Sequence, residues 1–459
     1  MPKQGTRTGR GGPQRSESPI MDARDAAYRH LSAYATRYPD LIPKDINTGT
    51  LEPRDAGLAI MIVEQSVRRW RTLEFVLETL SGHQSHKIEP RMRAVLLGGA
   101  AQLLFLDRVP AHAVLDESVA WAKRHIRPGA GGMVNAVLRK VAQTRGERID
   151  SSWDHHIDSV PLSDGGMLQL KGLELPENGR RRLGIACSLP NALLARWESL
   201  YEDPTPASLH TLIKAPTILY VKHATQPIDS PDLVQHESPD HRVYTSGRAQ
   251  LLELLEQDPG IWVQDPASSA TLGELSLDIT PKRVIDLCAG QGTKTRQLRS
   301  MFPECEFIAC EIDPQRIKTL RASFREDEGV RVEHVSDLNH RYARWADLIL
   351  TDVPCSNTGV LARRLEARYR PIDAQVKRLV ATQRSIVSHA FEMLGEGGTL
   401  VYATCSVEAE ENEENTQWAA DEHGLTIGHT QRIELGGSPG GNMADYRDAS
   451  YAAVLHRAP

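Results

Sequence analysis

Two cysteines stand where buried strands are predicted to end. Cys355 lies in the sequence Asp352-Val353-Pro354-Cys355-Ser356, and Cys405 lies fifty residues later in Thr404-Cys405-Ser406. Apolar runs at 346–350 and 398–403 precede them. Such runs are typical of strands in an open α/β sheet, where ligands bind at the carboxyl ends of the strands. Most lone cysteines are small buried side chains, but the polar, turn-forming neighbours of these two predict thiols that do covalent chemistry.

The residues around these thiols suit methylation at carbon 5 of a cytosine. That carbon is a poor nucleophile until a thiolate adds to carbon 6 and makes it electron-rich. We assign Cys405 as the nucleophile, Asp352 as the acid that protonates N3, and Cys355 as the group that removes the proton and releases the enzyme. Lys294 is expected to assist electrostatically. A free thiol is mostly protonated at neutral pH, so the site must favour the thiolate.

A glycine-rich turn after another predicted strand indicates a cofactor site. The turn spans 288–295 and has neither the dinucleotide-binding spacing nor the spacing of a P-loop. Glu311 ends the next predicted strand, where an acid typically receives ribose hydroxyls, and Asp337 follows a further short strand-like stretch. Each acid alone is more often a solvated or capping residue. Their common register favours a cofactor with ribose and adenine but no pyrophosphate, namely S-adenosylmethionine.

Alternating strands and helices from about residue 260 predict a mostly parallel, doubly wound α/β sheet of the Rossmann type. The strand candidates are Ile261–Val263, Arg283–Leu287, Glu306–Cys310, Ala346–Leu350, Gly398–Ala403 and Ala452–Leu455. Helical spacing of apolar residues predicts an all-helical domain before it. The predicted segments are a disordered basic tail at 1–19, the helical domain at 20–148, a linker at 149–180, a small α+β segment at 181–259 and the catalytic domain at 260–459.

The composition is that of a soluble globular protein, with 40% hydrophobic and 25% charged residues. A formal net charge of −6 does not suggest nucleic-acid binding through bulk charge, so any RNA site must be a local basic patch. Arg363, Arg364 and Arg368 form such a cluster after Cys355, although a solvated helix face is the alternative. The sequence has no CxxC pair, signal peptide or membrane-spanning run, and we expect a cytoplasmic protein without a metal.

These motifs resemble those of the RNA 5-methylcytosine methyltransferases, in particular the bacterial ribosomal RNA small-subunit methyltransferase B family. The family's D-[AV]-P-C-S motif matches 352–356, and its T-C-S and E-E-N motifs match 404–406 and 410–412. The sequence 283–295 is similar to the family's cofactor motif, and 309–313 with Arg316 is similar to its ribose motif. The stretch from 91 to 145 resembles the helical RNA-binding domain of the antitermination factor NusB.

The resemblance implies a set of site residues and a substrate. The implied cofactor contacts are Cys288, Ala289, Gly290, Gln291, Gly292, Thr293, Lys294, Glu311, Arg316, Asp337, Asp352 and Pro354. The expected RNA contacts are Arg363, Arg364, Arg368 and Arg139. The implied substrate is a cytosine in 16S ribosomal RNA, free or in an early small-subunit precursor, and we expect a monomer. Glu411 and Asn412 are expected to position the Cys405 loop, although acidity at a helix start would also explain them.

The chain departs from the family pattern in the glycine turn. The usual C-A-A-P-G-G-K-T is here Cys288-Ala289-Gly290-Gln291-Gly292-Thr293-Lys294-Thr295, without the proline and one glycine. Both cysteines and Asp352 remain, which predicts an active enzyme. Three alternatives stay open: a non-catalytic RNA-binding or antitermination protein, a cytosine-5 methyltransferase acting on another RNA such as tRNA, and a nitrogen-directed methyltransferase. The last class presents an Asn/Asp-Pro-Pro-aromatic loop, whereas this chain has Asp-Val-Pro-Cys.

Overall fold

The computed structural model describes residues 19–228, 230–273, 279–338 and 341–459. The basic tail predicted at 1–19 therefore lies outside the described residues, except for Pro19. Within these ranges, every helix is too short or too polar to span a lipid bilayer. The same residues contain no group of three or more His, Cys, Asp or Glu side chains placed to hold a metal ion.

A helical bundle forms the first part of the described chain. Its helices are α1 (Ala23–Arg37), α2 (Pro53–Arg68), α3 (Trp70–Ser81), α4 (Pro90–Phe105), α5 (Ala111–His125) and α6 (Ala130–Thr144). Proline stands in the first turn of α2 and α4, where its fixed φ suits a helix start. Helix α4 is buried along most of its length. A Cβ at Gly98 or Gly99 would lie 2.6 Å from the Tyr28 or Leu138 side chain, so these glycines allow α1 and α6 to pack closely on α4.

The segment that we predicted as a linker is folded. A three-stranded antiparallel sheet has the order β1 (Arg145–Ile149), β3 (Met167–Leu170), β2 (Ser159–Pro161). It is followed by α7 (Gly179–Ala186), α8 (Asn191–Leu200) and α9 (Thr205–His210). Leu168 and Leu170 are buried in the same core as the helical bundle. The linker prediction at 149–180 is therefore wrong, because strands of three to five residues among polar turns carry too little periodicity to be recognised.

A second small sheet connects the bundle to the larger sheet. Its antiparallel order is β5 (Leu233–Gln235), β6 (His241–Tyr244), β4 (Thr217–Tyr220), β7 (Trp262–Val263), and α10 (Arg248–Gln257) lies between β6 and β7 in sequence. The predicted strand at 261–263 thus exists, but it pairs with β4 and not with the parallel sheet. The boundary predicted at 260 falls too early, since Trp262–Val263 belong to this connecting unit.

The larger sheet has seven strands and confirms the predicted doubly wound α/β fold. Its order is β10 (Val330–His334), β9 (Glu306–Glu311), β8 (Arg283–Asp286), β11 (Ala346–Asp352), β12 (Leu394–Thr404), β14 (Ser450–His456), β13 (Thr426–Ile433). The first five are parallel, and β14 runs antiparallel to both of its neighbours. The remaining helices are α11 (Pro266–Gly273), α12 (Thr293–Met301), α13 (Pro314–Ser323), α14 (Ile372–Met393) and α15 (Glu413–His423).

Burial on both faces explains why the central strands read as continuous apolar runs. Leu348 and Leu350 pack in one core cluster, and Ile349 packs in the cluster on the opposite face. In the register between β11 and β12, Asp352 lies beside Ala403. The loops that carry the two predicted thiols therefore leave adjacent parallel strands at the same edge of the sheet.

Candidate active site

The two thiols lie side by side at the carboxyl end of the sheet. Cys405 directly follows β12, and Cys355 lies three residues beyond the end of β11. Their Sγ atoms are 3.3 Å apart, which is hydrogen-bonding distance for sulfur. Cys355 is 7% exposed, whereas Cys405 is only partly buried. Cys405 is therefore the thiol that an incoming molecule reaches more easily.

Two ionisable groups near Cys405 have shifted pKa values. The hydrogen bond with Cys405, burial, and repulsion from an ionised Cys405 raise the pKa of Cys355 well above its usual value. Nζ of Lys294 donates to Oδ2 of Asp352 over 2.8 Å. Burial lowers the pKa of Lys294, but attraction to Asp352 and the hydrogen bond between them more than offset this, so that the pKa is raised overall. A protonated Cys355 and a charged Lys294 both stabilise a thiolate beside them.

The loop after Cys355 is shaped by residues that sequence reasoning missed. Asn357 has a positive φ of 64°, and its Nδ2 donates to the Cys355 carbonyl oxygen over 2.9 Å. Its Oδ1 lies 3.5 Å from Sγ of Cys405. The nitrogen of Gly359 donates to the Cys405 carbonyl oxygen over 3.0 Å, and a Cβ at Gly359 would lie 2.8 Å from that oxygen. The sequence signals that could have revealed this loop are Asn357, a residue type that tolerates the left-handed conformation, and Gly359, which allows the Cys405 backbone to approach closely.

A buried carboxylate lies beneath the same loop. Glu411 is fully buried and accepts a hydrogen bond from the Ser356 nitrogen over 2.9 Å. Nε2 of Gln383, on α14, donates both to Glu411 and to the Pro354 carbonyl oxygen, each over 3.0 Å. Burial raises the pKa of Glu411, and the hydrogen bonds from Ser356 oppose that rise. Glu411 thus fixes the Cys355 loop, and its carboxylate has a further hydrogen-bond partner in the Ser406 side chain of the Cys405 loop, as we had expected.

Asn412 holds the Cys405 loop in place through two side-chain hydrogen bonds. Its Oδ1 accepts a hydrogen bond from the Thr404 hydroxyl over 2.5 Å, and its Nδ2 donates to the Ser406 carbonyl oxygen over 2.9 Å. Asn412 is fully buried, so neither bond is exposed to competing water. The adjacent residues Glu411 and Asn412 therefore together hold both thiol-bearing loops.

The glycine turn joins β8 directly to α12, although it lacks the proline that the family pattern carries. Gly290 and Gly292 have positive φ values of 59° and 90°, and α12 begins at Thr293. The Ala289 nitrogen donates to the Cys310 carbonyl oxygen over 2.8 Å, which fixes the turn to β9. A Cβ at Gly290 would meet nothing within 4 Å, so the backbone there is open to a ligand. Cys288 lies in this turn, partly buried, and Gln291 is exposed.

Acidic groups mark the ends of the neighbouring strands. Oε1 of Glu311 accepts from the Ile312 and Asp313 nitrogens over 2.8 and 3.0 Å. Its Oε2 lies 3.7 Å from the nearest guanidinium nitrogen of Arg316. Asp337 is exposed beyond β10. Ile312, which we did not predict, is 67% exposed beside Glu311 and presents an unusually accessible apolar surface.

Comparison with known proteins decides the family. Residues 276–434 match the family described as 16S rRNA methyltransferase RsmB/F, and residues 21–143 match the NusB family. The chain joins a NusB-family domain to an RsmB/F-family methyltransferase domain. It is 27% identical over 367 residues to "Ribosomal RNA small subunit methyltransferase B" of Vibrio cholerae, covering 79% of this chain and 80% of that protein. It is 28% identical over 473 residues to "Putative methyltransferase Rv1407" of Mycobacterium tuberculosis, covering 97% and 98% of the two chains.

A solved structure has a similar fold over most of the chain. The crystal structure of PH0851 superposes with a TM-score of 0.69 at 18% identity, covering 95% of this chain and 98% of that one. This likeness confirms the predicted fold class. The family matches and the relatives confirm the predicted family and enzyme type: the protein is an S-adenosylmethionine-dependent methyltransferase with an RsmB/F-type catalytic domain.

The residues at the sheet edge fit that cofactor. Oδ1 of Asp286 is buried without a hydrogen-bond partner among the described residues, at the end of β8 beside the open turn. Such an orphaned acceptor suits a donor brought by a ligand. Glu311 offers a carboxylate for ribose hydroxyls, and Ile312 offers an apolar face for an adenine ring. Pro354 is exposed at the start of the Cys355 loop, and its carbonyl oxygen is already bound by Gln383.

The arginines that we expected to contact RNA differ in exposure. Arg368 is 1% exposed and donates to the carbonyl oxygens of Arg68, Thr211 and Leu361, so it cannot reach a phosphate. The prediction is wrong for Arg368, because a charge run in sequence does not reveal which side chains turn inward. Arg363 is partly buried and forms ion pairs with Asp265 and Asp448. Arg364 and Arg139 are exposed.

The buried Asp286 makes the stability of the RsmB/F-type domain depend on pH. Burial raises its pKa from 3.8 to about 7, although a hydrogen bond from Thr295 opposes that rise. Between these two pH values the folded state holds a proton that the unfolded state has lost, so stability falls as pH rises. Three pH units correspond to about 4 kcal/mol at most. We expect Asp286→Asn to gain stability relative to the unsubstituted protein as pH rises from 4 to 7.

Thermal or urea unfolding of both proteins without cofactor, at intervals across this pH range, measures the effect. Asp337→Asn is the control, because Asp337 lies at the same sheet edge but is exposed. A stability difference between Asp286→Asn and the unsubstituted protein that stayed constant from pH 4 to pH 7 would contradict the argument.

Proposed function

We propose that this protein methylates carbon 5 of a cytosine in 16S ribosomal RNA through a transient covalent bond between Cys405 and carbon 6. The observation that carries the proposal is the 3.3 Å separation of the two thiols beside the ion pair of Lys294 and Asp352. The RsmB/F family description and the name of the Vibrio cholerae relative support small-subunit ribosomal RNA as the substrate. A nitrogen-directed methyltransferase or a binding scaffold has no need of paired thiols.

S-adenosylmethionine, when bound, supplies an electrophilic methyl group, which carbon 5 accepts. In the proposal, Cys288, Ala289, Gly290, Gln291, Gly292, Thr293 and Lys294 surround the cofactor at the glycine turn. Glu311, held by two backbone nitrogens, receives the ribose hydroxyls, and Ile312 covers the adenine ring. Arg316, Asp337, Asp352 and Pro354 complete the rim of this pocket.

In the first chemical step the Cys405 sulfur adds to carbon 6. Its electron pair forms the S–C bond, and the electrons displaced from the ring pass toward carbon 5 while N3 gains a proton. Asp352 holds N3 and the exocyclic amine, and its carboxylate passes to N3 a proton taken from the Lys294 ammonium group to which it is hydrogen-bonded. Lys294 keeps the Asp352 side chain oriented, and its charge favours the thiolate before addition.

In the second step Cys355 takes the proton from carbon 5, and the bond between Cys405 and carbon 6 breaks. The electron pair of the C–H bond restores the ring double bond, the pair of the S–C bond returns to the Cys405 sulfur, and N3 returns its proton to Lys294 through Asp352. The largest cause of the raised pKa of Cys355 is its hydrogen bond with Cys405. Because covalent attachment removes that acceptor and its charge, Cys355 can release its own proton to solvent and become a base only after the adduct has formed.

The RNA surface in this proposal includes Arg364 and Arg139, which are exposed on the catalytic and NusB-family domains. Phosphate contacts of this kind position a nucleic acid without reading its sequence. Cys405 is partly buried at the sheet edge, so the target base has to come from a loop or be flipped out of a helix.

Mapping of 5-methylcytosine by bisulfite sequencing tests the proposal. We expect one 16S rRNA cytosine to lose its methyl group in cells that lack this protein and to regain it with the wild-type gene. Purified protein should transfer labelled methyl groups to unmodified 16S rRNA or to small-subunit precursors. Methylation of tRNA alone, or an unchanged 16S rRNA pattern in the deletion strain, would reject the substrate assignment.

A further inference from the structure

The chain that leaves the catalytic loop runs directly into the NusB-family domain. Leu361 and Ala362 follow Gly359 and Val360, and the Gly359 nitrogen is hydrogen-bonded to the Cys405 carbonyl oxygen. The next turn, Leu365–Tyr369, is largely buried and packs in the same core cluster as the helical bundle. The position of the Cys405 loop is therefore linked to the bundle through fewer than ten residues.

Two buried arginines form hydrogen bonds across the contact between the bundle and the catalytic segment. Nη1 of Arg68, the last residue of α2, lies 2.8, 3.2 and 3.3 Å from the carbonyl oxygens of Ile213, Thr211 and Ala362. Arg368 donates in return to the carbonyl oxygen of Arg68 over 2.9 Å and to that of Leu361 over 3.0 Å. Arg68 and Arg368 are 5% and 1% exposed. Each guanidinium thus joins the bundle, the connecting unit and the catalytic segment across a buried interface.

A tyrosine adds a third contact. The Tyr369 hydroxyl donates to the Val67 carbonyl oxygen and lies 2.9 Å from the Ser188 hydroxyl. Tyr369 is 2% exposed, and its ring lies 5.5 Å from that of Tyr38. Val67, Arg68 and Tyr369 therefore form one hydrogen-bonded unit at the end of α2. Charge-assisted bonds to carbonyl groups are stronger than neutral ones, and a buried one is costly to lose.

We propose that Arg68 is a positioning residue for the chemical step, through which the NusB-family domain holds the Cys355 and Cys405 loops in register. The inference rests on the proposed function for its kinetic readout. It assigns the helical domain a part in methyl transfer in addition to RNA binding. Small displacements of reacting groups reduce rates strongly, so a loosened loop should lower kcat by about 10- to 100-fold. The affinity for RNA should change little, since Arg68 is not accessible to a phosphate.

The test compares Arg68→Lys and Arg68→Met with matched changes at the neighbouring arginine. Arg69 is 1% exposed, and it donates to the carbonyl oxygens of Ala186 in α7 and Pro161 in β2, not to the catalytic segment. We expect lower kcat, an unchanged RNA Kd and partial rescue by lysine at position 68. Arg69→Lys and Arg69→Met should destabilise the protein to a similar degree, with kcat per folded molecule unchanged.

A second measurement does not depend on the substrate. The rate at which iodoacetamide alkylates Cys405, followed by mass spectrometry, reports on the loop itself. It should change at least about threefold in Arg68→Lys, and in the same direction in Tyr369→Phe, which loses only a hydroxyl. Tyr369→Phe also decides the matter if the Arg68 variants do not fold. Wild-type alkylation and kcat in both Arg68→Lys and Tyr369→Phe, or a loss confined to RNA affinity, would overturn the inference. Absence of RNA methylation by the wild-type protein would instead reject the proposed function.

Discussion

Cys405→Ala is expected to abolish both methyl transfer and covalent attachment to RNA. Without the thiolate, carbon 5 of the target cytosine is not activated, so kcat should fall by at least about 10³-fold. The RNA should still bind, because the substitution removes one partly buried sulfur and no charged contact at the surface. Incorporation of labelled methyl groups measures the rate, and gel separation under denaturing conditions detects the covalent complex.

The control for this variant is Cys305→Ala. Cys305 is also buried, and its thiol is hydrogen-bonded to the Pro281 carbonyl oxygen, in a region that the proposed mechanism does not use. We expect this protein to keep the full rate of methylation. A Cys405→Ala enzyme that methylated at a rate close to wild type would show that the nucleophile has been assigned wrongly.

The strands of the catalytic sheet could be predicted because they are buried on both faces. The apolar runs at 346–350 and 398–403 lie inside β11 and β12, each of which extends beyond the predicted bounds. A strand that packs on both sides has few positions for polar residues, so its sequence stands out. Strand β13 was not predicted, since most of its residues are exposed or partly exposed and its composition is polar.

The three-stranded sheet at 145–170 could not be predicted for a different reason. Strands β1 to β3 have three to five residues, too few to show an alternating pattern. Their burial comes from packing against distant parts of the chain, such as the core that Leu168 shares with the helical bundle. Arg368 was wrongly predicted to contact RNA because its burial also depends on packing against distant parts of the chain. A buried guanidinium satisfied by three carbonyl oxygens has no signature in sequence, because those oxygens belong to residues far along the chain.

The thiols and Asp352 were located by short motifs, whereas the groups that hold them in place were mostly not. Motifs of three to five residues identify the reactive side chains of each loop. The contacts of Gln383 with Pro354 and Glu411 depend on where α14 crosses beneath the sheet edge, which is set by packing. Only Glu411 and Asn412 were noticed beforehand, and their adjacency did not reveal that Glu411 also holds the Cys355 loop.

Cys355→Ala is expected to give the opposite phenotype to Cys405→Ala. Cys405 remains free to add to carbon 6, so attack and methylation should proceed, but the proton on carbon 5 then has no base to receive it. The enzyme should therefore accumulate as a covalent complex with methylated RNA, and multiple turnover should fall by about 10²- to 10⁴-fold. Denaturing gels and mass spectrometry of the trapped complex measure its amount and its methyl content.

The double variant Cys355→Ala, Cys405→Ala distinguishes this stalled state from other causes of slow turnover. It should form no complex, because the bond to carbon 6 requires the Cys405 sulfur. A Cys355→Ser variant should stall as well, since a hydroxyl has the size of the thiol but is a far weaker acid and stays protonated. If Cys355→Ala turned over normally, the 3.3 Å contact between the thiols would have only a structural role, and another group near carbon 5 would have to remove the proton.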